Sequence, residues 1–146
     1  MAGWMARAGS QLLSDCDVII PVPLHATRYF TRLFNQSAEL ARFVAEKTGK
    51  AHDPVSLIRI KRTKRQVGLE RNARLDNVRG AFTVSEERRI NIAGKKILLI
   101  DDVYTTGATI RACTKALLKA GAASVDVLTF ARVVADGFSD EELALI

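Results

Sequence analysis

The segment Ile97-Leu-Leu-Ile-Asp-Asp-Val-Tyr-Thr-Thr-Gly-Ala-Thr109 puts four apolar residues, two carboxylates and a run of small hydroxyl residues side by side. Asp101 and Asp102 can accept hydrogen bonds from hydroxyls or help to hold a cation. Thr105, Thr106 and Thr109 can donate hydroxyl protons. The small residues Gly107 and Ala108 let an anion come close to backbone N–H groups. A helix starting there would add unpaired N–H groups with the positive end of its dipole behind them. Such a loop suits a phosphate monoester. The two carboxylates would repel a phosphate but not sugar hydroxyls. A ligand with a 5-phosphate at one end and vicinal hydroxyls at the other satisfies both, and ribose 5-phosphate is of that kind.

Charge is the second concentration of chemistry. The chain has 146 residues and a net charge of +6. Between Arg59 and Arg89 ten basic residues stand against four acidic ones, so this stretch carries the whole excess. It would attract phosphate, pyrophosphate or nucleic acid; a solvated basic surface is the plain alternative. Phe82 is its only aromatic residue, which leaves little for stacking the bases of a single strand. Cys16 and Cys113 stand far apart with no CxxC, so neither a disulfide framework nor a zinc site is expected. No apolar run approaches the ~20 residues of a membrane helix, and Met1–Leu13 lacks a secretory pattern. A cytoplasmic protein without membrane contact is expected.

These residues need elements to hold them. Asp17–Val22 is a short apolar run with β-branched residues, ended by Pro21 and Pro23, and reads as a buried strand. A polar, basic loop runs from Leu24 to Phe34. Asn35 then caps a helix in which Ala38, Leu40, Ala41, Val44 and Ala45 keep helical spacing, and Gly49 stops it. Val55–Ile60 reads as a second strand, Lys61–Arg79 as a long loop and Gly80–Val84 as one strand of a hairpin. Ile97–Ile100 is apolar at every position, as in a parallel strand covered on both faces, with Asp101 and Asp102 ending it. Thr109–Ala120 is a helix with Ile110, Cys113 and Leu117 on one stripe and Gly121 as its stop. Val125–Ala131 is the last strand. Residues 1–14 form an N-terminal helix and residues 136–146 a tail. This alternation predicts an α/β fold, a parallel sheet flanked by helices, in one domain over residues 1–146. Ligands of such sheets sit outside the carboxyl ends of the strands, where Asp101–Thr109 falls.

Other readings of the segment explain less. Ile-Asp-Asp at a strand end also occurs in receiver domains of response regulators, where acids hold Mg²⁺. That fold needs a later phosphoacceptor Asp at a second strand end, whereas Asp126 stands at a strand start, and it leaves Thr105–Thr109 without a role. There is no GxxxxGK[ST], so a P-loop is unsupported. A chance acid pair before an ordinary helix cap explains one threonine and not the whole pattern.

The segment resembles the signature with which type I phosphoribosyltransferases bind 5-phosphoribosyl-1-pyrophosphate (PRPP): four apolar residues, two acids, two more residues, then Thr-Thr-Gly-Ala-Thr. The resemblance implies that Asp101 and Asp102 are the catalytic acids, which contact the ribose hydroxyls and Mg²⁺, directly or through water. It implies that Thr105, Thr106, Gly107, Ala108 and Thr109 hold the 5-phosphate.

Three more segments resemble the ComF family of competence-associated proteins. They are Pro21-Val-Pro-Leu-His25 with Arg28, Arg32 and Phe34-Asn-Gln36; Thr63-Lys-Arg-Gln66 with Leu69, Arg71 and Arg74; and Asn77-Val-Arg-Gly-Ala-Phe82. With Leu128–Val133 the resemblance runs from about Trp4 to Val134. It implies a type I phosphoribosyltransferase-like fold with a small flexible hairpin and loop region that closes over the site. Arg28 and Arg32 of the first loop, and Arg62, Lys64 and Arg65 of the second, would bind pyrophosphate, with guanidinium groups suited to bidentate contacts. Gln66 and Asn77 are candidate contacts to the substrate or to the residues that hold it, His25 a loop contact and Tyr104 a flank of the ribose or a packing residue. Thr105 stands where purine-salvage relatives carry an acid, so neither a general base nor an acceptor is named. The resemblance implies Mg²⁺-assisted phosphoribosyl transfer, a link to DNA uptake, single-stranded DNA or a competence helicase as partner, and a homodimer as in many relatives. It leaves open a non-catalytic PRPP or nucleotide sensor, or an adaptor in natural transformation. ComF proteins usually carry a cysteine-rich zinc finger before the transferase domain; with no CxxC, no zinc is expected in this chain.

Overall fold

A computed structural model describes residues 9–23, 35–60, 80–104 and 107–132. In chain order it contains α1 (Ser10–Asp15), β1 (Val18–Pro21), α2 (Gln36–Thr48), β2 (Ala51–His52), β3 (Leu57–Arg59) and β4 (Phe82–Val84). A 3-10 helix (Glu86–Asn91), β5 (Lys96–Tyr104), α3 (Ala108–Lys119) and β6 (Ser124–Arg132) follow. Residues 1–8 of the expected N-terminal helix and the expected tail 136–146 lie outside the described residues.

Four strands form a parallel sheet in the order β2-β1-β5-β6. Side chains alternate across a strand, and here both faces are covered. Ile19, Leu98 and Ile100 pack with Leu13, Leu40, Ala41 and Val44 of α1 and α2. Val18, Ile20, Ile97 and Leu99 pack with Ile110, Cys113 and Leu117 of α3. Ile97–Ile100 is therefore buried at every position, which is why the sequence shows no polar alternation there.

The connections matter most for function. The chain leaves β1 through α2 and reaches β2 on one side; it leaves β5 through α3 and reaches β6 on the other. The two helices cover opposite faces. Strand order thus reverses between β1 and β5, and a crevice at such a switch point is the usual ligand position in open α/β sheets.

Several local expectations change. β5 does not stop at the acids. It runs on to Tyr104 because β6 is equally long and keeps pairing with it, Asp101 with Thr129 and Tyr104 with Arg132. On its other side β1 ends at Pro21. The run Val55–Ile60 contributes only β3, which pairs antiparallel with β4 in a separate ribbon. Two strands alone are marginal; Leu57, Phe82 and Val84 anchor the ribbon in the core on the α3 side. β2 is two residues long, too short for any periodicity to reveal.

The caps of α2 follow the sequence closely. The Asn35 side chain accepts from the Ser37 N–H at 3.0 Å, relieving one of the unpaired donors of the first turn. Gly49 ends the helix at φ 69°, with its N–H bonded to the Ala45 carbonyl at 2.9 Å. An L side chain is strained at that φ. Gly49→Ala meets no atom within 4 Å, so its expected cost is backbone strain alone, about 1 kcal/mol. A fall in Tm of about 3 °C in a thermal melt checks this.

Candidate functional site

The acids stand where the switch point lies. The Val22 N–H bonds the Ile100 carbonyl at 2.9 Å, so the carboxyl end of β1 lies beside Ile100 of β5. Asp101 is the next residue. It is 9% exposed, deep for a carboxylate.

Two hydrogen bonds hold its carboxylate, and a third links their donors. The Ser37 hydroxyl donates to Asp101 Oδ1 at 3.0 Å. The Asp102 N–H donates to the same oxygen at 2.9 Å and reaches Ser37 Oγ at 3.3 Å. Ser37 is 4% exposed. Asn35, besides capping α2, donates through Nδ2 to the Val22 carbonyl at 3.0 Å. The end of β1, the start of α2 and the acids of β5 therefore form one hydrogen-bonded unit.

Burial lifts the Asp101 carboxyl from an ordinary 3.8 to about 6. The Ser37 hydrogen bond pulls the other way, and the adjacent Asp102 adds to the rise. Burial wins. Titratable groups displaced in this way gather at functional sites. On the sheet face beneath, burial pushes the Cys113 thiol well above its ordinary range, and the Asp101 charge pushes it further. That thiol stays protonated and is no nucleophile.

After the acids, the chain enters α3. Gly107 is its N-cap, at φ 75° in the left-handed region, and its carbonyl accepts from the Arg111 N–H at 2.9 Å. Gly107 and Ala108 are buried and Thr109 half-buried. The start of α3, with its cap five residues after Asp102 in the chain, thus presents small residues and the positive end of a helix dipole.

Among the expected site residues, the structure describes Asp101 and Asp102 on β5 and Gly107, Ala108 and Thr109 at the start of α3. Thr105 and Thr106 lie outside the described residues, as do Arg28, Arg32, Arg62, Lys64 and Arg65, and also His25, Gln66 and Asn77. Ser37 was not expected. Its signal was present, because Ser37 shares the spacing of Leu40, Ala41, Val44 and Ala45, all buried on α2. A lone hydroxyl on an apolar stripe requires a partner.

Among the described residues, no group of three or more His, Cys, Asp or Glu could hold a metal by itself. The pair Asp101 and Asp102 still suits Mg²⁺, which takes one or two carboxylates and fills its sphere with water and substrate oxygens. No helix of the described residues is long and apolar enough to cross a membrane.

Residues 17–144 match the family model described as phosphoribosyl transferase domain. The DNA utilization protein YhgH of Salmonella typhimurium is 34% identical over 89% of this chain and 55% of its own length. Competence protein F of Haemophilus influenzae is 31% identical over 80% of this chain and 50% of its own. The chain thus spans about half the length of these relatives. Among solved structures, orotate phosphoribosyltransferase from Aeropyrum pernix superposes with a TM-score of 0.52 at 14% identity, over 90% of this chain and 69% of that one. That likeness concerns the fold.

Proposed function

We propose, from the premise that this chain belongs to the phosphoribosyl transferase domain family, that it binds PRPP at Asp101–Thr109 and transfers its phosphoribosyl group. The observation that carries the reading is the placement of Asp101 and Asp102 on β5 just past the end of β1, at the switch point, with β5 leading into the Gly107-capped start of α3. The two acids take the ribose hydroxyls. Thr105, Thr106 and Thr109, with the backbone at Gly107 and Ala108, take the 5-phosphate. Arg28, Arg32, Arg62, Lys64 and Arg65 offset the charge of the pyrophosphate as it leaves. Asp101 and Asp102 would hold Mg²⁺, which would supply further neutralisation of that leaving group. The bond from the anomeric carbon to pyrophosphate breaks with its electron pair going to pyrophosphate, and a nitrogen nucleophile of the acceptor forms the new bond.

A second reading draws support from the relatives named for DNA utilization and competence, and from the basic stretch Arg59–Arg89. In it the PRPP site serves as a sensor, and the protein is an adaptor for single-stranded DNA or a helicase in DNA uptake. The scarcity of aromatic residues in that stretch ranks it second.

Calorimetric titration of PRPP against the wild type and Thr106→Val, with and without Mg²⁺, tests the first reading. Micromolar binding that needs Mg²⁺ and weakens about tenfold in the variant is expected, the effect of one hydrogen bond to a charged group. No binding at millimolar PRPP overturns it. Single-stranded DNA binding that survives moderate salt would then favour the adaptor.

A further inference from the structure

Serine hydroxyls inside helices commonly bond back to a carbonyl of their own helix. Thr48, at the other end of α2, shows the threonine version, donating to the Val44 carbonyl at 2.7 Å. Ser37 does something else. It donates to Asp101, 64 residues further along the chain, and sits within 3.3 Å of the Asp102 N–H.

We propose that Ser37 is a positioning residue: held in the first turn of α2 by the Asn35 cap, its hydroxyl fixes the Asp101 carboxylate and the Asp102 backbone in the one arrangement that receives the ribose. The inference rests on the PRPP reading above and adds a residue on a different element to that site.

Three observations carry it. First, the Ser37 and Asp102 donors converge on a single carboxylate oxygen, Oδ1. Two bonds from different directions fix the plane of the carboxylate, where one would leave it free to swing. Second, Ser37 is itself fixed. Its N–H is bonded to Asn35 Oδ1, and Asn35 Nδ2 is bonded to the Val22 carbonyl. The hydroxyl is therefore referenced to the end of β1 and not only to its own helix. Third, Ser37 is almost fully buried, so water does not readily replace its hydroxyl. Groups that orient carboxylates in this way commonly change affinity by about tenfold or more when removed.

Ser37→Ala and Ser37→Thr test the role, because threonine restores a hydroxyl at the same carbon. Two measurements are made on each variant and the wild type. One is the affinity for PRPP in saturating Mg²⁺ by calorimetry. The other is amide hydrogen exchange, read at Asp102 and, as an internal control, at Leu98–Ile100. Ser37→Ala is expected to bind PRPP about tenfold more weakly. It is also expected to exchange the Asp102 amide about tenfold faster, with Leu98–Ile100 unchanged. Ser37→Thr recovers most of both. A purely structural serine would instead lower Tm and speed exchange across β5, leaving PRPP affinity alone, and that result overturns the proposal. Wild type that binds PRPP while Ser37→Ala binds it equally well also overturns it. If the wild type itself binds no PRPP, the functional reading falls and the positioning role falls with it.

Discussion

Asp101→Asn is expected to melt about 9 °C above the wild type at pH 8 without ligand, and to lose that advantage by pH 4. The Asp101 carboxyl is 9% exposed and is lifted from 3.8 to about 6, mainly by burial. A folded-state value above the unfolded one means that the native state keeps this proton longer than the unfolded chain does. The stability linked to that proton is fully present below about pH 4 and is lost as pH rises through about 6. A displacement of roughly two units corresponds to about 3 kcal/mol. Asparagine has nearly the same shape and carries no charge at any pH. Its Oδ1 can still accept from Ser37 and from the Asp102 N–H. The variant therefore escapes the loss at pH 8 and gains nothing at pH 4, where Asp101 is protonated. Thermal melts of both proteins at each pH between 4 and 8 check this, and comparison at equal pH cancels the other carboxylates. Equal Tm values at pH 8 would show that the burial of Asp101 carries no energetic cost. The cost is the expected mark of a group kept for its ligand, since functional sites commonly hold what packing alone would reject.

The same tension explains which parts of the fold could be read from residues alone. The strands β1 and β5 announced themselves because burial on both faces leaves an uninterrupted apolar run. The helix α2 was legible down to Asn35 and Gly49, because caps are local chemistry acting over a few residues. The end of β5 was not legible. Two adjacent acids look like a strand terminus, and only the length of β6, 20 residues further along, carries the ladder past them. The ribbon of β3 and β4 was legible as two runs but not as a unit separate from the sheet, since its placement depends on Leu57, Phe82 and Val84 meeting α3. Within the site, the acids and the Gly107 turn stood out because their chemistry is contiguous in sequence. Ser37 did not, because its meaning comes from a bond that spans 64 residues. Its place on the apolar stripe of α2 marked it as a residue that needs a partner without saying which.

Replacing Asp101 and Asp102 together by asparagine is expected to weaken Mg²⁺-dependent PRPP binding by about 100-fold or more. Each substitution keeps an acceptor oxygen and removes a charge. A hydrogen bond to a charged group contributes about 1.5–3 kcal/mol, against about 1 for a neutral one. Losing the difference at two acids, together with their attraction for the cation, reaches roughly 3 kcal/mol, which is about 100-fold in affinity. The direction matters as much as the size. Because Asp101→Asn alone should raise Tm at pH 8, the double variant should bind less while remaining folded through the titration. Weak binding then cannot be put down to lost structure. Calorimetry at pH 8 with saturating Mg²⁺, beside a melt of the same sample, reads both quantities. An affinity equal to that of the wild type would remove Asp101 and Asp102 from the ribose site. It would leave the start of α3, with its small residues and helix dipole, as a phosphate cradle acting without them. An affinity reduced 100-fold in a protein that melts no lower would tie the switch point between β1 and β5 to the ribose, which composition and fold alone do not do.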